Sequence, residues 1–165
     1  MIYFRSSKDA LPGRAMSQTL TRILATLPLI AYPAGCILML NANDRVAIEV
    51  AGFGLILVAL IGFAMIAPSW IQRITGEEKV KLDEFEMDVR RRAYSAAYHG
   101  FTAIALIFVV YLGIVSDAQA KLGWLWTPST FDHWNAIFWG AFLYATLLPT
   151  VWIAWTVRAP DEDVD

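Results

Sequence analysis

Glu49, His99 and His133 are the residues whose side chains could move a proton or hold a cofactor, since each lies in or beside a long apolar stretch. His99 and His133 fall on opposite sides of a membrane thickness, so they cannot share a metal ion or a haem. The chain has no Ser/His/Asp set, no H-E-x-x-H pattern, no phosphate-binding loop and no G-x-G-x-x-G turn. We therefore assign no catalytic residue, no metal ligand and no cofactor.

His99 and Glu49 remain candidate functional residues, each with two interpretations. The His99 ring is either a polar group that is hydrogen-bonded inside the protein or a proton-handling group. The Glu49 carboxylate lies among lipid headgroups if its helix begins at Val50. If the helix begins near Val46, the carboxylate lies inside the membrane, where it could couple to proton movement.

The segment LDEFEMDVRRRAYSAAYHG, residues 82–100, carries the densest pattern in the chain. At 100° per residue, one narrow helical stripe collects its large apolar and small residues. We interpret this stripe as an interaction face for the chain's own segments, a second copy or another protein: Leu82, Phe85, Val89, Ala93, Ala96 and Gly100. Arginine at a membrane boundary meets phosphate headgroups, so Arg90, Arg91 and Arg92 are predicted headgroup contacts.

Four long apolar segments must position these residues. The 165-residue chain is 58% hydrophobic and 17% charged, whereas a soluble domain is about 25% charged. A helix needs about 20 residues to cross a membrane, and only internally bonded backbone is stable in lipid. We predict an all-α, polytopic membrane protein with one four-helix transmembrane domain over 1–165. The predicted spans are about 23–40, 50–70, 94–116 and 134–157.

Prolines and a capping pattern refine this prediction. Pro28 and Pro33 lie in the first span and Pro149 in the fourth, which predicts a kinked bundle. The capping box from Thr75 to Glu78 predicts a juxtamembrane helix over about 76–93 that extends the third helix into the cytoplasm.

The distribution of Lys and Arg predicts the orientation. With four spans, 11 of the 13 basic residues lie on the side of the two termini, and only Arg45 and Lys121 lie on the other. Basic residues favour the cytoplasmic side, so both termini are predicted to be cytoplasmic. The net charge of −2 gives no reason to expect nucleic acid as a partner.

The stretch LDE-x-E…RRRA resembles a pattern in small uncharacterised bacterial four-span inner-membrane proteins. There, an Asp-Glu pair and following basic residues precede a long membrane helix. The residues that carry the resemblance are Leu82, Asp83, Glu84, Glu86, Arg90 to Arg92 and Ala93. The resemblance implies a location in the bacterial inner (plasma) membrane and implies no activity.

Three functions follow as hypotheses. We favour a non-enzymatic accessory or interaction protein that contacts membrane lipids and assembles through its long third helix, as a homo-oligomer or in a larger membrane complex. The first alternative is a small transporter or channel-like oligomer that uses Glu49, His99 and the proline-containing spans. The second is a binder or enzyme of a lipid-soluble molecule beneath the aromatic loop 117–133.

Overall fold

The computed structural model describes residues 16–42, 45–76, 82, 84–118 and 125–157, and over these residues the chain is helical, without strands. The helices are α1 (Gln18–Leu40), α2 (Val46–Ile66), α3 (Trp70–Thr75), α4 (Glu84–Ala118) and α5 (Phe131–Thr156). All except α3 are long and apolar enough to cross a membrane. The prediction of an all-α protein with four membrane-length helices is confirmed.

The helix ends differ from the predicted spans by a few residues. N-terminal caps explain where α1 and α5 begin. α1 begins at Gln18 because the Ser17 side chain accepts a hydrogen bond from the Leu20 N–H. α5 begins at Phe131, where Thr130 and His133 form a capping box. α2 ends at Ile66, four residues before the predicted end of the second span. Pro68 lacks the N–H that a further turn of α2 would use, and a turn leads into α3.

The predicted capping box from Thr75 to Glu78 stays a prediction, because Glu78 lies outside the described residues. Thr75 itself is the last residue of α3, and its hydroxyl donates to the Ile71 carbonyl 3.2 Å away. Residues 77–81 and 83, over which the juxtamembrane helix was predicted to begin, lie outside the described residues. From Glu84 onward that helix and the third span are one helix, α4, of 35 residues. Its length is about 52 Å at 1.5 Å per residue, against a hydrocarbon thickness of about 30 Å.

The four long helices pack as a row in the order α2, α1, α5, α4. α1 contacts both α2 and α5, while α4 packs on α5. α3 lies against α4 and α5 at the end of the bundle where α1 and α4 begin and α2 and α5 end. We call this end of the bundle the α3 end. The buried core lies there, with residues from all the helices. α1 buries 33% of its apolar segment and α4 only 6%, so α1 is central and α4 forms an edge.

Small residues hold α1 and α2 close together. Three buried positions on each side of this contact recur every seven residues, as in helices packed side by side. They are Pro28, Gly35 and Ala42 on the first chain segment and Gly52, Ala59 and Ile66 on the second. A Cβ atom added to Gly35 would lie 2.7 Å from the Gly52 carbonyl oxygen. The two backbones therefore approach more closely than larger residues would permit.

Side-chain donors join α1 to α5 by bonding to backbone carbonyls. Gln18 Nε2 donates to the carbonyls of Ala154 at 2.8 Å and Val157 at 2.9 Å. Arg22 Nε donates to the same Ala154 carbonyl at 3.1 Å. The last carbonyls of a helix have no partner within it, so the start of α1 caps the end of α5.

We call the whole contact between α1 and α5 the α1–α5 seam. A second set of its hydrogen bonds lies deeper in the bundle. Pro33 has no N–H to give to the Leu29 carbonyl, which is four residues earlier in α1. The Tyr144 hydroxyl of α5 donates to that carbonyl at 2.7 Å. Tyr32 of α1 donates in turn to the Ala136 carbonyl of α5 at 3.2 Å. The helix thus continues through Pro33 because its neighbour bonds the freed carbonyl; the predicted kink stays a prediction.

Replacement of Gly52 by alanine tests the close α1–α2 contact. The new Cβ would lie 2.7 Å from Met39 Cγ and 2.9 Å from the Gly35 carbonyl oxygen. We expect Gly52→Ala to lower the free energy of unfolding by roughly 1–3 kcal/mol, the usual cost of overpacking. Thermal unfolding in detergent, followed by circular dichroism, measures the change.

Gly54→Ala is the matched control, because a Cβ at Gly54 meets nothing within 4 Å. Its unfolding midpoint should equal or exceed that of the parent, since alanine favours helix over glycine by up to about 1 kcal/mol. Equal losses in the two variants would show that α1 and α2 do not meet at Gly52.

Candidate functional site

A shallow groove of about 410 Å³ lies between α4 and α5 at the α3 end. Its lining comes from two helices and combines charged, polar and apolar side chains: Asp88, Arg91, Arg92, Ser95, Ala96 and His99 from α4, and Trp152 from α5. We call it the α4–α5 groove. It brings His99 and two of the three predicted headgroup arginines together with Trp152 of α5. The α4 residues follow one another at helical spacing, whereas the position of Trp152 beside them could not be predicted from the sequence.

The arginines in and beside the groove differ in their ion pairing. Arg92 Nη2 lies 2.8 Å from Asp88 Oδ2, one helical turn away, and both side chains are exposed. Arg91 forms no ion pair with any residue that the structure describes. Arg90 lies outside the groove, with its guanidinium carbon 5.9 Å from the centre of the Tyr94 ring. Arg91 is therefore the arginine best placed to bind an anion.

His99 is exposed on α4 and bonds to its own helix. Its Nδ1 lies 2.6 Å from the Ser95 carbonyl oxygen. A carbonyl can only accept, so Nδ1 carries the hydrogen and Nε2 is left for a ligand or solvent. The structure thus places His99 on the outer surface of α4 instead of inside the bundle.

The predicted interaction face is divided by the fold. Val89 and Ala93 are buried in the core cluster that also contains Ile71 and Leu147. Leu82, Ala96 and Gly100 are partly buried, whereas Phe85 is 67% exposed. The middle of the stripe therefore packs against the protein's own α3 and α5, and Phe85 is the large apolar residue that it leaves exposed.

A buried polar network attaches α3 to α4 and α5 and so positions the groove. Gln72 Nε2 donates to Thr150 Oγ1 at 3.2 Å. The Thr75 hydroxyl shares its one hydrogen between the Ile71 carbonyl and Gln72 Oε1, which lies 3.3 Å away. The Tyr94 hydroxyl of α4 donates to the Thr75 carbonyl at 2.7 Å. Sequence reasoning missed this network; its signal was Gln72 and Thr75 interleaved with apolar Ile71 and Ile74 just after Pro68.

Glu49 lies far from these groups in the packing order. α2 begins at Val46, so Glu49 belongs to its first turn, where a carboxylate is favoured, and its side chain is exposed. α2 and α4 occupy opposite edges of the row. The structure therefore does not bring Glu49 and His99 together. Among the residues it describes, no group of three His, Cys, Asp or Glu side chains could hold a metal ion.

His133 serves as a cap at the start of α5. Its Nδ1 accepts hydrogen bonds from the N–H groups of Ser129 at 3.0 Å and Thr130 at 3.3 Å. Its ring also packs edge-on against Trp126, whose carbonyl accepts a 2.7 Å bond from the Tyr111 hydroxyl of α4. The second half of the aromatic loop 117–133 is thus bonded to both α4 and α5. Residues 119–124 of that loop lie outside the described residues.

Known proteins add no constraint on this site, because no protein family, curated protein or solved structure matches the chain. The fold itself defines the class, which is that of multi-pass helical membrane proteins.

Thr150 tests the network that positions the groove. Thr150 and Gln72 are both buried, so Thr150→Val leaves the Gln72 amide without an acceptor. We expect a loss of roughly 1–3 kcal/mol in the free energy of unfolding. Thr150→Ser keeps the hydroxyl and should retain most of that stability in the same thermal measurement. A serine variant as unstable as the valine variant would show that the hydrogen bond does not matter.

Proposed function

We propose that this chain is an integral accessory protein of the bacterial inner (plasma) membrane, with both termini in the cytoplasm. It assembles through the α3 end of α4, either as a homo-oligomer or within a larger membrane complex. The orientation is supported by the 11 basic residues assigned to that side and by Trp152 and Trp155, which close α5 there.

The observation that carries the proposal concerns α4. This helix is longer than the hydrocarbon thickness of a membrane, and α3 and α5 pack against one side of it only. Val89 and Ala93 are buried in the core, and Tyr94 is bonded to the Thr75 carbonyl. These contacts give the first turns of α4 a fixed position. Phe85 and Met87 are nevertheless 67% and 60% exposed.

Phe85 is the residue best placed to contact a partner protein. It precedes Ser95 in the α4–α5 groove by ten residues, or about 15 Å along the helix. The arginines from Arg90 to Arg92 lie between them, so Phe85 lies beyond the headgroups. Single exposed apolar side chains are common on protein surfaces; Phe85 is distinguished by its place on the stripe next to Val89 and Ala93, which the core holds in position.

The edge position of α4 also supports lateral assembly. Within the row α4 packs on α5, and the apolar residues of its outer faces are exposed. A partner can therefore lie beside α4 and contact Phe85 without displacing another helix. Transport has one supporting observation, the start of α2 at Val46, but Glu49 and His99 lie on opposite edges of the row.

Charged substitution of Phe85 tests the proposal. We expect Phe85→Glu to reduce recovery of the associated species about tenfold or more, since a buried aromatic anchor contributes about 2 kcal/mol or more to binding. The measurement is chemical cross-linking in native membranes, followed by purification in mild detergent and mass spectrometry. It separates a second copy from another protein by mass.

Met87→Glu is the matched control. Met87 is similarly exposed but lies about 200° from Phe85 around α4, so its substitution should leave assembly unchanged. A parent protein that yields only monomer would contradict the proposal. So would an equal effect of the two substitutions, because it would reflect added charge instead of a specific face.

A further inference from the structure

We propose that the α4–α5 groove binds the phosphate headgroup of an anionic phospholipid, with the acyl chains lying along the outer face of α4. This site is separate from the contact proposed at Phe85. It rests on the charge, the hydrogen-bond donors and the helical register of the groove.

The charges in the groove suit a phosphodiester. Arg91 and Arg92 supply two positive charges and Asp88 one negative charge, which is a net charge of +1 from these three side chains. A phosphodiester carries about one negative charge, which this excess balances. Because Arg92 is shared with Asp88, Arg91 supplies the unshared guanidinium, and both arginines can donate more than one hydrogen bond to phosphate.

A further donor and an acceptor lie on the same wall of the groove. The Ser95 hydroxyl can donate to a phosphate or glycerol oxygen. The His99 Nε2, which is not used by the bond to the Ser95 carbonyl, can accept a hydrogen bond from a glycerol hydroxyl. Trp152 from α5 is partly buried on the opposite wall. Tryptophan favours headgroup depth, since its ring is apolar and its N–H requires a polar partner.

The register of α4 favours a lipid over a free phosphate. Asp88, Arg92, Ser95 and His99 recur at three- and four-residue intervals and so share one face. The same face continues with Ala103, Leu106 and Val110, which are exposed; Leu106 is 61% and Val110 59% exposed. Along the helix, the residues of this stripe are first charged, then polar and then apolar. This order matches the headgroup, glycerol and acyl regions of a phospholipid.

Native mass spectrometry of the full-length protein tests the site. The protein is titrated in detergent with phosphatidylglycerol and, separately, with zwitterionic phosphatidylcholine of the same acyl chains. We expect phosphatidylglycerol to bind the parent about tenfold more tightly. In Arg91→Gln/Arg92→Gln this preference should be lost, whereas Arg90→Gln should keep it, because Arg90 lies over Tyr94 outside the groove.

Three results would overturn the proposal. Equal binding of the two lipids by the parent would show that the groove does not recognise anionic headgroups. An equal loss in Arg90→Gln would show an effect of overall charge instead of a defined site. Soluble glycerol phosphate at the same concentration should compete poorly. If it competed as well as the lipid, the groove would be an anion site to which the apolar stripe adds nothing.

Discussion

The hydrogen bonds of the α1–α5 seam are the constraint on which the rest of the structure depends. No water reaches a backbone carbonyl inside lipid, so a carbonyl freed there by a proline needs a partner from the protein, and the last carbonyls of a helix lack a partner within that helix. Tyr144 supplies the partner for Leu29, and Gln18 and Arg22 supply it for Ala154. These bonds fix α1 against α5 at both depths. α2 then packs on the free side of α1, and α3 and α4 pack on α5.

The seam explains why the candidate sites lie on α4. A helix at the edge of the row has one long neighbour, so most of its circumference is exposed. Its start is nevertheless held, because Val89 and Ala93 enter the core and Tyr94 bonds to the Thr75 carbonyl. Fixed position and wide exposure together suit α4 for contact with other molecules. The proposed contacts divide along its length, with Phe85 beyond the headgroups and the α4–α5 groove at their level.

The sequence predicted the four spans because length and hydropathy decide which segments can cross a membrane. Periodicity also found the stripe through Val89 and Ala93, although it could not tell that the chain's own core covers the centre of that stripe. The order of the row, the α3 turn and the groove could not be predicted. They depend on the packing of residues far apart in sequence, such as the hydrogen bond of Gln72 with Thr150 or the position of Trp152 across the groove from the α4 residues, which no local pattern encodes.

A double-mutant cycle on Tyr144 and Pro33 tests the central claim most directly, with the free energy of unfolding measured in detergent. With Pro33 present, we expect Tyr144→Phe to cost about 1 kcal/mol, because the Leu29 carbonyl loses its donor. With Pro33→Ala, the restored N–H at position 33 can bond that carbonyl, and Tyr144→Phe should cost much less. An equal cost in both backgrounds would contradict the claim that Tyr144 holds the seam by bonding this carbonyl.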